Sequence, residues 1–523
     1  MSKFKNSKES VSSDIYLWYD RPTQVAIKET YDLKVWPITN IYNDGPINFK
    51  LPEQTKGMLQ DLHIVTKLKI QKNGEDFDAR QRDISVVNNF ANSLWDKVEI
   101  LVDDRIDITQ NMRNAYAYKS FFNHALNSAS NREDYLLYNE LFKMDKGKTK
   151  YLEENSRIFW KWNENLDDKI KGMMDSSITE KDEALERIKE LLWTFDWKYT
   201  QNHCTGIANI LGPWGGDDHV EICKQVKELV DIAWLPTSNE SASERSRFVN
   251  NGQSITVDAK LHCPLFTTSK CLPHNMKIRI SLTKNSDSFL LLTDDEGYSI
   301  NIEECYLLTT YVSPHDVFLE EIDKRLKLEP APYFVSKPEL IIKPVTGAGK
   351  FIRITDLFHD KIPAYAFFCL QNSKDFEGSF KTNPFTFIPF KKFQFYIDGT
   401  PYFKDPLNVE SINNIELGDE KGFEYKQFGV YLRQLYKTLG IDLKGDCLIN
   451  SKNFALNFMV GISFGADRSN ITENHLNLQK AGSNSLEIDM GINTVPEDMV
   501  LIIYALYDRQ IQIDSERKIH IIE

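Results

Sequence analysis

The chain is poor in cysteine and lacks a long hydrophobic run. Its 523 residues include 7 cysteines, an odd number without a Cys-x-x-Cys pair. This argues against a disulfide framework and favours buried thiols in a reducing compartment. The longest apolar run, "MVLIIYALY" at 499–507, is too short to cross a bilayer as a helix. Because the N-terminal "MSKFKNSKES" is polar, we expect no signal peptide and no transmembrane segment.

An excess of basic residues is also missing. The formal net charge is −13, whereas a protein that binds duplex nucleic acid over a broad face needs clustered Lys and Arg. We therefore expect no specific nucleic-acid binding, and we interpret the basic run "KMDKGKTK" at 143–150 as a solvated loop. What the chain does have is 41% hydrophobic and 12% aromatic residues, enough for the cores of two or more domains.

The common catalytic motifs are absent from the sequence. There is no Gly-x-Ser-x-Gly elbow and no His-Glu-x-x-His. The stretch "VTGAGK" at 345–350 does not match a phosphate-binding loop, because Pro344 and Phe351 stand where that motif needs Gly and Ser or Thr. We interpret this stretch as a hairpin turn.

One acidic group follows a glycine-rich stretch, "GPWGGDDH" at 212–219. Asp217, Asp218 and His219 could bind a metal ion or act as acid and base. The interpretation we favour is a loop that ends at a helix, with Asp217 or Asp218 as the N-cap.

Two His-Cys pairs raise the question of a zinc site. His203-Cys204 and His262-Cys263, with Cys271 nearby, lack the short Cys or His steps that such sites normally show. We interpret these cysteines as small buried apolar residues. The sequence thus predicts no catalytic, cofactor-binding or metal-binding residue, no cofactor, and a protein that is not an enzyme.

Four features recur in the same order in the two halves of the chain. They are the strand–Gly turn–strand units around Gly45 and Gly349, the apolar strands 63–71 and 364–372, the hairpins 95–108 and 390–403, and the Pro-led strands 273–282 and 496–506. In the second hairpin, Phe393, Phe395 and Ile397 alternate with other residues, and Asp398-Gly399 favours a tight turn. Each hairpin is preceded by an Asn and a Phe and followed by an aromatic, helix-like stretch, 114–127 or 425–440.

The offsets between the copies locate an insertion. They are 304 residues for Gly45 to Gly349, 295 for Asp103 to Asp398 and 223 for Met276 to Met499. Since 295 exceeds 223 by 72, the first copy should carry about 72 extra residues between its hairpin and its Pro-led strand. Helical patterns at 177–197, with Thr179 as N-cap, and at 219–235 lie in this stretch.

A helical stripe of Phe318, Ile322 and Leu326, ended by Pro330 and Pro332, separates the two copies. The sequence therefore predicts a mainly β fold, two tandem eight-stranded jelly-roll β-sandwich domains with helical loop insertions. The expected layout is an N-terminal arm at 1–24, a first jelly roll at 25–315 with a helical insertion at about 130–245, a linker helix at 316–332 and a second jelly roll at 333–523.

At this point the sequence resembles a known family, the double jelly-roll major capsid proteins of Polinton (Maverick) elements and adintoviruses, in the adenovirus-like lineage. Four blocks carry the resemblance: "VVNNFANSLWDKVEILVDDRID" at 86–107, "NAYAYKSFFNHALN" at 114–127, the block 255–292 and the block 486–519. In the second block Ala117 replaces the proline of the family's pattern. The likeness spans about 30–110 and 250–519 and is missing over about 130–245.

The resemblance implies a structural role. Three copies of such a chain form a pseudo-hexameric, hexon-like homotrimeric capsomer, and capsomers tile an icosahedral capsid of a double-stranded DNA virus or virus-like element. It implies self-association, further contacts with penton and minor capsid proteins, synthesis in the host cytosol and a final location in the virion. We expect the 130–245 insertion to lie at the capsomer top or in a trimer clasp.

Two alternatives stay open at the level of sequence. One is a jelly-roll scaffold, which shapes a membrane and is later removed, or a minor capsid protein. The other is a carbohydrate-active β-sandwich protein, which would require a carboxylate pair or an aromatic platform in one cleft.

Overall fold

The computed structural model describes the chain from residue 23 to residue 522 with internal gaps. The described residues are 23–41, 45–53, 56–76, 84–103, 106–107, 112–145, 160–162, 167–168, 171, 181–193, 234–236, 240–249, 252–266, 268, 270–293, 297–345, 351–359, 361–380, 382–409, 428–440, 446–465, 481–491 and 498–522. The predicted N-terminal arm lies outside them except for its last two residues, and so does most of the predicted insertion.

The strands of the first half lie between residues 27 and 314. They are β1 (Ile27–Val35), β2 (Ile47–Lys50), β3 (Met58–Lys72), β4 (Ile84–Val86), β5 (Trp95–Val102), β6 (Ile106–Asp107), β7 (Trp160–Trp162), β8 (Trp234–Pro236), β9 (Ile255–Lys260), β10 (Ile278–Lys284), β11 (Leu291–Thr293) and β12 (Tyr298–Pro314). They form two four-stranded antiparallel sheets in the orders β1-β12-β3-β9 and β2-β10-β5-β6, and two small pairs, β4 with β11 and β7 with β8.

The strands of the second half lie between residues 331 and 522. They are β13 (Ala331–Val345), β14 (Phe351–Thr355), β15 (Tyr365–Asn372), β16 (Lys392–Ile397), β17 (Thr400–Pro401), β18 (Leu407–Asn408), β19 (Val460–Ser463), β20 (Asn484–Asp489), β21 (Met499–Ile513) and β22 (Ile519–Ile522). Their two sheets run β13-β21-β15-β19, with β22 added beside β21, and β14-β20-β16-β17, with β18 added beside β16.

The helices connect and flank these sheets. They are α1 (Phe90–Ser93), α2 (Ala115–Asn127), α3 (Glu133–Glu140), α4 (Lys181–Trp193), α5 (Glu240–Val249), α6 (Asp287–Leu290), α7 (Asp316–Leu328), α8 (Ser373–Glu377) and α9 (Gly429–Leu439), with a 3₁₀ turn at Ser130–Arg132. Among the described helices, none is both long enough and apolar enough to cross a membrane.

The two halves have the same strand order. Position by position, β1, β12, β3 and β9 of the first half match β13, β21, β15 and β19 of the second, and β2, β10, β5 and β6 match β14, β20, β16 and β17. In both halves the chain alternates between the two facing sheets, which is the jelly-roll path. The fold is a mainly β double jelly roll, as the sequence predicts.

Period-two burial places the cores between the sheets. In β5, Val98, Ile100 and Val102 are buried, as their alternation predicts. In β16, Phe393 and Phe395 are buried as predicted, but Gln394 between them is buried too and Ile397 is only half-buried. The turn after β16 has φ of 48° at Asp398 and 74° at Gly399. This is the pair of positive φ values that a two-residue hairpin needs.

The predicted match of the two Pro-led segments, 273–282 and 496–506, as equivalent strands of the two halves is wrong. β10 lies beside β5, and the strand in the same place beside β16 is β20, not β21. β21 instead matches β12, the long strand that ends the first half. Both segments have Pro three residues before Met and then an apolar strand, which alternates with polar residues in the first and is continuous in the second. Such a pattern does not reveal which sheet a strand joins.

The corrected match changes the size of the insertion. Asp103 to Ile278 spans 175 residues and Asp398 to Asn484 spans 86, so the first half is longer by 89 residues, not 72. The predicted helix at 177–197 corresponds to α4, which begins at Lys181. The predicted helix at 219–235 is wrong at its end, because Trp234 and Leu235 lie in strand β8.

The glycine turns are not hairpins. β1 and β2 flank Gly45 but belong to different sheets, and the same holds for β13 and β14 around Gly349. The chain crosses there from one sheet to the other, so the two flanking strands do not pair. Gly349 itself lies outside the described residues.

Helix α7 connects the two halves. It buries Leu319 and Leu326 and half-buries Ile322, while Phe318 is 40% exposed. The predicted stripe is therefore rotated by one position, with Leu319 in the place assigned to Phe318.

Candidate functional site

The buried surface between the two halves, here called the seam, is built from the aromatic block that the sequence singles out. Helix α2 packs its aromatic side chains against the second half. The ring of Phe121 stacks on Phe385 with centroids 4.6 Å apart, and the ring of Phe122 stacks on Tyr504 at 5.0 Å. All four rings are buried. Stacked pairs of this kind add to the burial of apolar area, so the seam holds the two halves together.

Tyr118 joins the same helix to the second half by hydrogen bonds. Its hydroxyl group lies 2.9 Å from Gln371 Oε1 and 2.9 Å from the Pro384 carbonyl oxygen. The side chain is fully buried, and this burial raises the pKa of Tyr118 well above its usual range. The hydroxyl therefore acts as a fixed polar contact in an apolar seam.

A buried polar group crosses the seam beside these rings. The backbone N–H of Asn88 donates to Asn383 Oδ1 at 3.4 Å. The side-chain amide of Asn383 donates in turn to the Asp145 carboxylate. Arg245 Nη1 donates to Asp145 Oδ1 at 2.9 Å, and Arg245 Nε donates to the Val86 carbonyl oxygen at 3.1 Å. The side chains of Arg245 and Asp145 are 0% and 2% exposed. Removal of either charge would leave the other buried without compensation.

A second contact joins the halves near α7. Arg517, in the turn before β22, donates from Nη2 to Asp323 Oδ1 at 2.5 Å and from Nε to the His274 carbonyl oxygen at 3.0 Å. The first half, the connecting helix and the C-terminal hairpin therefore meet at one guanidinium group.

A third polar group lies under α2 and contains two histidines and a glutamate. His124 Nε2 lies 2.8 Å from Glu140 Oε2 and 3.0 Å from His262 Nε2. His124 and Glu140 are 6% and 3% exposed. Burial, followed by the neighbouring His124, lowers the pKa of His262 well below its usual range.

The sequence-based candidates divide between described and undescribed residues. Cys204, Asp217, Asp218 and His219 lie outside the described residues, as does most of "VTGAGK". Among the described cysteines, none of which is in a disulfide bond, Cys263, Cys305, Cys369 and Cys447 are buried and Cys271 is half-buried. The prediction of buried thiols is confirmed for the first four and is not met at Cys271, which keeps part of its surface exposed.

The sequence reasoning missed the partners of His262. It considered Cys263 and Cys271, whereas His262 meets His124 and Glu140, which are 138 and 122 residues away along the chain. No spacing rule covers such distances. The available signal was the aromatic block itself, since "FFNHAL" places His124 on the helix that also forms the seam.

An open groove of about 660 Å³ lies along α9. Among the described residues that line it are Arg433 and Lys437, and none is Asp or Glu. It therefore lacks the carboxylate pair that a glycan-cleaving site would need.

Comparisons with known proteins come from both sequence and structure. No family model matches the chain. An uncharacterized protein of Caenorhabditis elegans is 22% identical over 272 residues, which are 50% of this chain and 61% of that protein. The chain thus matches about three fifths of the length of that curated relative.

Among solved structures, a chain of the Sputnik virophage is similar over 99% of this chain and 93% of its own length, with a TM-score of 0.52 and 10% identity. The major capsid protein of mavirus covers 100% of this chain and 96% of its own length with a TM-score of 0.48 and 11% identity. A chain of the PBCV-1 capsid covers 97% and 99% with a TM-score of 0.49 and 8% identity. The Sputnik likeness extends over both halves and agrees with the double jelly-roll fold.

Proposed function

We propose that the protein is a major capsid protein that forms pseudo-hexameric homotrimeric capsomers of an icosahedral shell. The shell would belong to a double-stranded DNA virus or virus-like element, and the four sequence blocks favour the Polinton and adintovirus lineage. The observation that carries the proposal is the repeated strand order of the two halves, which pack against each other along the seam. The fold likeness to the Sputnik virophage chain over nearly the full length supports it.

The repeat fits a specific geometry. A closed ring of three chains with two similar halves presents six similar corners to its neighbours, while the true symmetry remains three-fold. Such tiling needs the two halves to keep a fixed relative placement. The stacked rings of Phe121 and Phe385 and the hydrogen bond from Asn383 to the buried Asp145 carboxylate support such a placement.

Exposed apolar side chains give the trimer contacts a location. Strand β1 is an edge strand, and Trp36 directly after it is 55% exposed. Strand β13, the matching edge of the second half, carries Phe334 at 54% exposure. Exposed apolar residues on edge strands are places where another chain binds. We propose that the β1 edge of one copy contacts the second half of the next copy.

The mass of the purified protein in solution tests this function. One chain is 60.7 kDa, so a trimer measured by light scattering coupled to gel filtration has three times that mass. A stable trimer supports the capsomer. A monomer that persists at the highest attainable concentration would overturn it. A trimer that assembles only on lipid vesicles would support the scaffold instead.

A further inference from the structure

Three side chains of types that can bind a metal ion converge where α2, α3 and the segment after β9 meet. His124 lies near the end of α2, Glu140 is the last residue of α3, and His262 follows β9. One donor atom of each residue lies within 4.8 Å of the other two. The shortest separations are 2.8 Å, from His124 Nε2 to Glu140 Oε2, and 3.0 Å, from His124 Nε2 to His262 Nε2.

These contacts bring together three atoms that can each offer a lone pair. An imidazole nitrogen carries at most one hydrogen. His124 Nε2 therefore cannot donate a full hydrogen bond to Glu140 and also to His262. A cation bound between the three atoms accepts a lone pair from each and needs no proton at any of them.

We propose that His124, Glu140 and His262 bind one divalent transition-metal ion of the zinc type. Two imidazole nitrogens and one carboxylate oxygen form a known three-ligand zinc set, with a fourth position left for water. In a tetrahedral zinc site the donor atoms lie about 3.3 Å apart. The two separations at His124 Nε2, 2.8 and 3.0 Å, are slightly shorter, and the separation of Glu140 from His262 is within 4.8 Å. This proposal replaces the sequence-based expectation of no metal ligand.

The surroundings orient the donors. Asn92 Nδ2 donates to Glu140 Oε2 at 2.7 Å, and the Asn123 side-chain amide lies 2.7 Å from His262 Nδ1. Asn123 Nδ2 faces the ring, and Asn123 Oδ1 accepts from Asn127 Nδ2 at 2.7 Å, so acceptance of an Nδ1 proton when Nε2 binds the ion requires both amides to turn over together. The Tyr116 hydroxyl accepts from the His262 backbone N–H at 3.3 Å. Outer-shell hydrogen bonds of this kind fix metal ligands in place.

The ion would have a structural role. It would join α2, which forms the seam, to α3 and to the end of β9 in the sheet β1-β12-β3-β9. His262 is half-buried, whereas His124 and Glu140 are buried. This inference does not depend on the capsid proposal, because it concerns one chain.

The test is zinc uptake by the purified, full-length protein. Protein treated with a chelator is titrated with Zn²⁺ alone by calorimetry, and the bound metal is counted by mass spectrometry after dialysis. Co²⁺ gives a second readout, because tetrahedral Co²⁺ has intense visible absorption bands. We expect one ion per chain, and a loss of affinity of more than about 100-fold in H262A and in E140Q.

A matched control is available at His63. This histidine also has two carboxylates beside it, but Asp258 lies at Nδ1 and Asp61 at Nε2, so the three groups do not converge on one point. H63A should keep the full zinc stoichiometry and affinity. Circular dichroism of E140Q and H262A verifies that they fold.

The outcomes separate clearly. Loss of zinc in folded H262A and E140Q with retention in H63A supports the site. No zinc uptake by the unsubstituted protein, or unchanged uptake in folded H262A, overturns it. If H262A does not fold, E140Q, which keeps the shape of the side chain, decides.

Discussion

The backbone N–H of Asn88 donates to Oδ1 of Asn383 at 3.4 Å, across 295 residues of sequence. The same offset separates Asp103 from Asp398, the turn residues of the two matching hairpins. Asn88 and Asn383 therefore hold the same position in the two halves, two residues before Phe90 and Phe385. The repeated Asn-x-Phe element meets its own copy at the seam.

Loss of the Asn383 side chain should weaken the seam. N383A leaves the Asn88 amide without this acceptor and removes the hydrogen bond to the Asp145 carboxylate. We expect the free energy of unfolding to fall by about 1–3 kcal/mol, as for a buried polar group that loses its partner. Urea titration followed by tryptophan fluorescence measures it.

The control for Asn383 is Asn408, an exposed asparagine in strand β18. N408A should change the free energy of unfolding by less than about 0.5 kcal/mol. If N383A lowers the free energy of unfolding no more than N408A does, the hydrogen bonds of Asn383 do not stabilise the seam.

The buried ion pair gives a larger effect. R245A leaves Asp145 charged and buried, so we expect a loss of about 3–5 kcal/mol in the free energy of unfolding. Arg325, 77% exposed and paired with Glu329 on α7, offers the same chemistry at the surface. R325A should cost less than about 1 kcal/mol. An R245A protein as stable as R325A would contradict the assigned role.

Stability should depend on pH through His63. Hydrogen bonding to Asp258, and then to Asp61, raises the pKa of His63 from 6.5 to about 9. A pKa raised in the folded state stabilises the fold fully below the unfolded value, and the contribution is lost as pH rises through the folded value. The advantage of the unsubstituted protein over H63Q should be full below pH 6.5 and fall towards pH 9.

Denaturant midpoints of both proteins at several pH values check the His63 prediction. The comparison with H63Q cancels the titrating groups that do not contact His63. Burial raises the pKa of Asp61, but hydrogen bonds to His63 and Lys260 lower it to about 2, well below the window from pH 6.5 to 9. An advantage that is constant or grows with pH would contradict the assignment.

The edge of the first half should control trimer formation. W36E places a charge on a side chain that is 55% exposed in the single chain. We expect the trimer to dissociate, with a fall in the association constant of more than about 10-fold, because a buried interface does not tolerate an unpaired charge. Analytical ultracentrifugation measures the distribution of species.

W36F keeps an apolar ring at the same place and serves as the matched control. It should leave the trimer largely intact. Unchanged trimer in W36E would move the contact away from the β1 edge, and loss of trimer in both variants would indicate general damage to the fold.

The sequence was informative where local chemistry decides the structure. Asp398-Gly399 predicted the hairpin, because few residues adopt two successive positive φ values. Alternation in β5 predicted which side chains are buried. Hairpins and alternating strands that recur in the same order in the two halves predicted the repeat, and the repeat predicted two tandem jelly rolls.

The sequence was uninformative where long-range contacts decide. Strands β10 and β21 look alike, yet each joins a different sheet, and only pairing partners distinguish them. The meeting of His124 with His262 depends on how α2 and α3 come together near the end of β9, which no local pattern encodes. The polar sequence of α5, "ESASERSRFV", is typical of an exposed helix, yet the Arg245 side chain within it is fully buried.

Electron microscopy of the purified protein tests the central proposal most directly. Class averages of negatively stained particles should show a six-sided outline with three-fold symmetry, and shells where the particles assemble. Two-lobed single chains at every concentration would contradict a capsomer and leave the protein as a monomeric double jelly roll.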